Sequence, residues 1–287
     1  AKGGHPHILV LSATPIPRTL ALIVYGDLDV SGLDELPPGR KPVDTFLVGE
    51  SKRQRLYSFI DKQIAEGRQV YIVCPAVEES EAQEGDPTLK SVKTYADHLA
   101  NKVFPHRSVA LVHGKLRPKE KEAAMASFAE GKTNILVSTT VIEVGVDVPN
   151  AALMVIENAD RFGLSQLHQL RGRVGRGQWQ SYCVLVSNNK SPDTRARLKT
   201  LCATTDGFRI AQADLEQRGP GDFFGERQHG LPQLHIADLG VDVRLLEQAQ
   251  AAAQTLLAQD PGLQSPAHTP LKNRLRRLFD QNALTFN

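Results

Sequence analysis

Short apolar stretches alternate with helical patterns through the middle of the chain. The stretches cover residues 43–48, 70–74, 109–112, 135–137, 153–156 and 182–186. Between them lie segments with helical periodicity, such as residues 51–66, which end at Gly67. Apolar strands separated by helices call for a parallel sheet that is covered on both faces. We therefore predict an α/β domain over residues 43–190.

Polar residues follow several of these strands directly. His113-Gly114, Thr139-Thr140 and Glu157 all stand where a predicted strand ends. Because ligands of open parallel sheets bind at the carboxyl ends of the strands, these residues are expected to line the ligand-binding edge.

The flanking parts of the chain have a different character. An apolar run at residues 8–11 leads into a polar turn, and LPPGRKP at residues 36–42 indicates an interdomain linker. Beyond residue 190, helical patterns at 193–203, 207–217 and 243–258 predict a small, mostly helical domain. The predicted domains are residues 1–42, which form the end of a preceding domain with its linker, residues 43–190 and residues 191–287.

Composition excludes several classes of protein. A hydrophobic content of 41% and a charged content of 23% are typical of a globular chain, and no apolar run approaches the ~20 residues that span a membrane. The three cysteines, Cys74, Cys183 and Cys202, are far apart and form no CxxC pair, which argues against disulfides and zinc. A reducing cytoplasm is therefore expected. The chain lacks an initiator methionine and reaches an apolar strand after seven residues, so we expect a fragment.

Residues 166–177, QLHQLRGRVGRG, carry the strongest chemical pattern. Arg173 and Arg176 are three residues apart, so on a helix they would share a face, and arginine matches phosphate oxygens with a planar fork of donors. Gly172 and Gly175 would each cost a helix about 1 kcal/mol, which suggests that a backbone or a ligand approaches closely. The alternative is a solvated basic helix end. Upstream, Asp147 could accept a hydrogen bond from a ribose hydroxyl or orient an arginine.

Four segments resemble, in order, the later motifs of superfamily-two helicases. They are SATPIPRT at 12–19, HGKL at 113–116, STTVIEVGVDVP at 138–149, and the arginine segment at 166–177. Residues 214–230, DLEQRGPGDFFGERQHG, resemble the translocation motif of the bacterial branch-migrating DNA helicases. The resemblance covers residues 8–239. Transcription-repair coupling factors have a related translocation segment and are the nearest alternative.

The resemblance implies a RecA-like fold and a set of nucleotide-binding roles. Arg173 and Arg176 match the arginine fingers that reach the ATP phosphates, and Gln169 matches a glutamine near the γ-phosphate. Gly145 and Asp147 match the nucleotide-facing part of the preceding motif.

The resemblance also implies a set of residues that contact or move DNA. Thr139 and Thr140 match a contact to the DNA backbone, and Ser12 and Thr14 match the segment that couples hydrolysis to strand movement. Three further residues match the hairpin that pushes on duplex DNA, with simple turn polarity as the alternative; they are Arg218, Arg227 and Gln228.

The phosphate-binding loop GxxxxGK[ST] and the acidic DExH box are absent from this sequence. ATP and Mg²⁺ are therefore expected to be held mainly by a first motor domain outside it, and the chain alone is expected to lack useful ATPase activity.

The resemblance implies branched duplex DNA, meaning replication forks and Holliday junctions, as substrate in recombination and repair. It also implies single-stranded DNA-binding protein as a partner, a monomeric state, no membrane, and a place in the bacterial cytoplasm at the nucleoid. The alternative to an enzyme is a binding module, which would bind DNA or a protein partner and have no role in ATP hydrolysis.

Overall fold

The computed structural model describes residue 31 and residues 39–75, 92–139, 147–214 and 243–283. The chain divides into two compact units, Ala1–Pro15 with Gly32–Asp214, and Ile16–Ser31 with Leu215–Asn287. Within the described residues, no helix is both long and apolar enough to cross a membrane.

Six strands form one sheet in the first unit. They are β1 (Asp44–Val48), β2 (Gln69–Val73), β3 (Val109–Val112), β4 (Ile135–Ser138), β5 (Ala151–Ile156) and β6 (Tyr182–Val186). Their order across the sheet is β1-β6-β5-β2-β4-β3, and every pair is parallel. Each strand lies within two residues of an apolar run in the sequence, which confirms the predicted parallel sheet.

Helices connect these strands. Those of the first unit are α1 (Arg53–Ala65), α2 (Val92–His98), α3 (Pro118–Ala129), α4 (Leu164–Arg171), α5 (Pro192–Ala203) and α6, of which residues 207–214 are described. Short 3₁₀ turns occupy Glu50–Lys52 and Ala159–Arg161, and a π-helical turn, Leu99–Val103, continues α2. The acidic and polar stretch at residues 78–86, whose composition predicts an exposed loop, lies outside the described residues.

Both faces of the sheet are covered, as β2 illustrates. Val70 and Ile72 pack into a core with α1 and α2, whereas Tyr71 and Val73 pack into the opposite core with α3 and α4. The whole strand is buried, so the strict alternation of polar and apolar residues found in one-sided sheets is absent. This burial explains why the strands are recognisable as continuous apolar runs.

The helices α5 and α6 belong to the sheet-containing unit, although the sequence suggested a boundary at residue 190. Leu198, Leu201 and Ile210 are buried in the same core as Tyr71 and Leu170. In this structure the first unit therefore extends to Asp214. The helical pattern at residues 193–203 indicated α5 correctly, but it did not indicate which surface the helix covers.

The described part of the second unit contains α7 (Val243–Gln259), a 3₁₀ turn at Pro266–His268, and α8 (Thr269–Ala283). Asp260 organises the connection between the helices. Its carboxylate accepts hydrogen bonds from the backbone N–H groups of Gln264 and Ser265, at 2.9 Å each, and contacts His268 Nδ1 at 2.8 Å. These bonds lower the pKa of Asp260 to about 2. Lys272 begins a stretch, residues 272–277, that holds four basic residues and no acidic one, and it donates to the carbonyl oxygen of Gly262 at 2.8 Å.

Candidate nucleotide site

Helix α4 leads into the arginine segment. Leu164, Leu167 and Leu170 form its buried face, and the side chain of Gln166 accepts a hydrogen bond from the Gly163 N–H at 3.1 Å. The helix ends at Arg171. Arg173 and Arg176 therefore lie in the turn that follows, where the helical spacing that would put them on one face does not apply.

Two glycines determine the shape of this turn. Gly175 has a φ of +76°, and a Cβ there would lie 2.7 Å from Cγ2 of Val43. A Cβ at Gly177 would lie 2.2 Å from the carbonyl oxygen of Pro149. Gly172 has no such close neighbour, since its nearest contact is 3.4 Å away. A close approach thus occurs at Gly175, but the side chain of Val43 makes it instead of a backbone or a ligand.

Arg176 is held from two sides. Its Nε donates to the carbonyl oxygen of Gly172 at 3.2 Å, and its Nη1 lies 3.5 Å from Oδ1 of Asp147. Of the two roles considered for Asp147, the structure shows the contact with an arginine. Because both side chains keep substantial exposure, 35% and 57%, the ion pair is weak and the guanidinium can take another partner.

Arg173 is half-buried beside the sheet, and Gln169 is exposed on α4. Burial raises the pKa of Tyr71 in β2 to about 12, and the positive charges of Arg173 and Arg176 act against that rise. Both guanidinium groups therefore lie close enough to influence the same tyrosine. The structure brings together Arg173, Arg176 and Asp147, three of the predicted nucleotide-binding residues.

This group lies at the amino-terminal edge of the sheet. Gly175 contacts Val43, just before β1, and Gly177 contacts Pro149, just before β5. The reason is topological, since α4 follows β5 and must run back along the sheet before β6 begins. Thr139, which is buried after β4, lies at the opposite edge. The structure therefore separates the arginines from the carboxyl-edge residues that the sequence singled out.

Glu157, at the carboxyl edge, is occupied by internal contacts. It forms a bidentate pair with Arg53 of α1, with Nη2–Oε2 at 2.8 Å, and accepts a hydrogen bond from the Tyr95 hydroxyl at 2.5 Å. Arg53 also pairs with Glu50 at 2.7 Å. Burial alone would lower the pKa of Arg53, but the bonds to both carboxylates outweigh it and raise that pKa. Sequence reasoning missed Arg53 and Tyr95, because their spacing carries no signal of a shared partner.

Arg171 has a structural role that could not be inferred from the neighbouring arginines in the sequence. Residues 161–176 hold four arginines and no acidic residue. Arg171 is one of the four, but it is buried and its Nη1 donates to the carbonyl oxygens of Leu201 and Thr204 at 2.8 Å each. Burial lowers its pKa. Arg171 thus holds the carboxyl end of α5 and is not presented to a ligand.

Several predicted site residues lie outside the described residues. They are Ser12, Thr14, Thr140, Gly145, Arg218, Arg227 and Gln228. Among the residues that are described, no group of three or more His, Cys, Asp or Glu side chains could hold a metal ion.

Comparison with known proteins gives matches over most of the chain. The family model described as helicase conserved C-terminal domain matches residues 51–178, and the model of ATP-dependent DNA helicase RecG, domain 3, C-terminal, matches residues 204–284. ATP-dependent DNA helicase RecG of Synechocystis sp. is 53% identical over 98% of this chain and 33% of its own length. The RecG proteins of Bacillus subtilis and Escherichia coli K12 are 46% and 48% identical over 96% and 91% of this chain, and 40% and 37% of their own lengths.

A solved structure supports the same relationship. "Structure of RecG bound to three-way DNA junction" matches 82% of this chain and 30% of that chain, at 48% identity and a TM-score of 0.64. The parallel sheet and its covering helices are those of a RecA-like helicase C-terminal domain, which confirms the predicted fold class. The chain belongs to the RecG family of ATP-dependent DNA helicases. It spans about a third of the length of the curated relatives that it matches.

Proposed function

We propose that this chain supplies the second motor domain and the translocation segment of an ATP-dependent double-stranded DNA translocase. The observation that carries the proposal is the turn at residues 172–177, which presents Arg173 and Arg176 together at one edge of a parallel sheet. Membership of the RecG family supports an ATP-dependent role for that turn. The match of residues 204–284 to RecG domain 3 favours this function over that of a transcription-repair coupling factor.

The arginines fit phosphate chemistry. A guanidinium remains charged at every physiological pH and offers several donors in one plane, which suits the oxygens of a transferring phosphoryl group. Arg176 is already oriented by Asp147 and by the Gly172 carbonyl, so little reorganisation is needed when a nucleotide arrives. In the same proposal Gln169, Gly145 and Asp147 also face the nucleotide.

The described residues fit the phosphates of ATP but not its Mg²⁺. Cationic side chains repel a metal, and the described residues contain no candidate metal cluster. We therefore assign Mg²⁺ and the β- and γ-phosphates mainly to another motor domain of the whole protein. When bound there, ATP supplies the free energy for translocation, and this chain contributes the charge that stabilises phosphoryl transfer.

The DNA-facing part of the proposal involves other residues. Thr139 and Thr140 contact the DNA backbone, and Ser12 and Thr14 couple hydrolysis to movement. The translocation segment contributes Arg218, Arg227 and Gln228. A RecG relative has been solved on a three-way DNA junction, which supports forks and Holliday junctions as substrates here. The proposal also holds that the whole protein is a monomer in the bacterial cytoplasm, associated with the nucleoid. There it binds single-stranded DNA-binding protein.

Arginine substitution in the full-length helicase tests the proposal. Arg176→Ala is expected to lower kcat of the DNA-stimulated ATPase by about 10³-fold, the lower end of the range for arginine fingers, with junction DNA affinity unchanged. Arg55→Ala removes an exposed arginine from α1 and is the matched control. If neither Arg173→Ala nor Arg176→Ala lowers ATPase activity, the chain is a binding module without an ATP role.

A further inference from the structure

The predicted interdomain linker reaches the arginine turn directly. Arg40 is half-buried, and its Nε donates a hydrogen bond of 2.8 Å to the carbonyl oxygen of Gly175. The two residues are 135 positions apart in the sequence, so no local pattern joins them. Arg40 is assigned no role by the family resemblance or by the phosphate pattern.

The acceptor of this bond lies beside Arg176. The carbonyl oxygen of Gly175 and the backbone nitrogen of Arg176 belong to one planar peptide unit, which rotates as a rigid body. A donor that holds the oxygen therefore restricts the direction in which the Arg176 side chain leaves the backbone. Gly175 itself has a left-handed φ of +76°, a conformation that glycine leaves readily. An external hydrogen bond is thus well placed to keep this peptide in one orientation.

Residues 42–44, which follow Arg40 and lead into β1, also contact the arginine turn and the residues after it. Nε2 of Gln180 donates to the carbonyl oxygen of Pro42 at 2.9 Å, and the Asp44 N–H donates to the Ser181 carbonyl at 3.1 Å. Val43 lies against Gly175, at 2.7 Å from the position that a Cβ would take. Residues 40–44 therefore follow residues 175–181 closely, and Arg40 and Val43 both contact Gly175, the residue before Arg176.

We infer that Arg40 is a positioning residue for Arg176, through which the segment before β1 sets the orientation of the finger arginine. The inference rests on the proposed function, since it gives Arg40 a role in the same phosphoryl transfer. A movement of the segment would change the hydrogen bond to Gly175 and rotate the peptide that carries Arg176. Hydrolysis would then depend on the position of the linker as well as on the bound nucleotide.

A double-mutant cycle in the full-length helicase tests this inference. Arg40→Ala is expected to lower kcat and kcat/KM of the DNA-stimulated ATPase together, by about ten- to a hundredfold, as misplacement of a catalytic group does. In an Arg176→Ala background the same change is expected to lower kcat by less than about twofold, since its target is gone. Lys41→Ala removes a neighbouring exposed cation and is the matched control.

Nucleotide binding gives a second readout that does not depend on turnover. Arg40→Ala should weaken binding of ADP with aluminium fluoride, which resembles the transferring phosphoryl group, while binding of ADP alone stays unchanged. A purely structural role would weaken both. Arg40→Lys keeps the cation but not the fixed direction of Nε–H, so it should give an intermediate loss. It serves for the same measurements if Arg40→Ala does not fold.

The outcomes separate the two proposals. If neither Arg173→Ala nor Arg176→Ala lowers kcat, the proposed function fails. If Arg173→Ala lowers kcat but Arg176→Ala does not, the proposed function stands and the positioning role of Arg40 is refuted. If Arg176→Ala lowers kcat but Arg40→Ala does not, the positioning role alone is refuted. An equal fold-loss from Arg40→Ala in both backgrounds would also refute it, because the two residues would then act independently.

Discussion

Gly177 shows how one missing side chain shapes the arginine turn. The position has no room for a Cβ, which would lie 2.2 Å from the carbonyl oxygen of Pro149. That oxygen belongs to backbone, so neither a rotamer change nor a flexible side-chain end can relieve the contact. The turn therefore lies as close to the start of β5 as two main chains can lie, and this closeness brings Arg176 near Asp147.

Gly177→Ala is expected to lower the free energy of unfolding by about 1–3 kcal/mol, the usual cost of overpacking. Gly49→Ala is the control, because a Cβ there would meet its nearest neighbour at an ordinary 3.6 Å. Urea unfolding followed by circular dichroism gives both values. Equal stabilities of the two variants would mean that the turn can move away from Pro149 at no cost.

The arginines illustrate which features of the site the sequence predicts and which it does not. Their spacing and their glycine neighbours indicate a phosphate site, which stays a prediction. The structure shows that the charges of Arg173 and Arg176 both act on the pKa of Tyr71. The pattern could not distinguish Arg171, whose guanidinium is buried against the carbonyl groups of Leu201 and Thr204. That distinction depends on the position of α5, some thirty residues further along the chain. Nor could it anticipate Arg40, whose partner is 135 residues away.

At the scale of elements, strands and helices were predictable to within a few residues because most strands are buried on both faces. Their positions in the sheet were not. The order β1-β6-β5-β2-β4-β3 depends on pairings between strands that are distant in sequence. For this reason the sequence directed attention to the carboxyl edge, whereas α4 carries the arginines back to the amino edge. The end of α4 at Arg171 also escaped prediction, since glycines occur both inside and after helices.

The contact between Glu157, Arg53 and Tyr95 joins three elements, β5, α1 and α2. The side chains of Arg53 and Glu157 are only 10% and 6% exposed. Removal of the Glu157 charge therefore leaves a buried guanidinium whose remaining ionic partner is the half-exposed carboxylate of Glu50. Glu157→Gln is therefore expected to lower the free energy of unfolding by about 3 kcal/mol.

Chemical denaturation at neutral pH measures this loss. Glu66→Gln is the control, because Glu66 makes an exposed ion pair with Lys62 at 4.0 Å and its loss should cost no more than about 0.5 kcal/mol. Similar losses in both variants would show that the buried contact contributes no more than a surface pair.

At the scale of the whole molecule, the division into units follows packing more closely than it follows the sequence pattern. Strand β6 completes the sheet, so residue 190 resembles the end of a domain. The apolar faces of α5 and α6 nevertheless enter the core beside α4, through Leu198, Leu201 and Ile210. A helical pattern with apolar positions shows that the helix packs against some surface, but it does not identify that surface. The end of the first unit at Asp214 therefore could not be located from the sequence alone.

A pair of fragments tests this division. Residues 39–214 are expected to unfold cooperatively in urea, whereas residues 39–190 should unfold at a much lower urea concentration or fail to fold.

The shorter fragment loses three buried side chains worth about 2 kcal/mol each, or about 6 kcal/mol together. That is comparable with the roughly 5–15 kcal/mol by which a domain is stable. It also leaves the buried Arg171 without the Leu201 and Thr204 carbonyl groups. Equal urea midpoints for the two fragments would place α5 and α6 outside the folding unit and restore the boundary at residue 190.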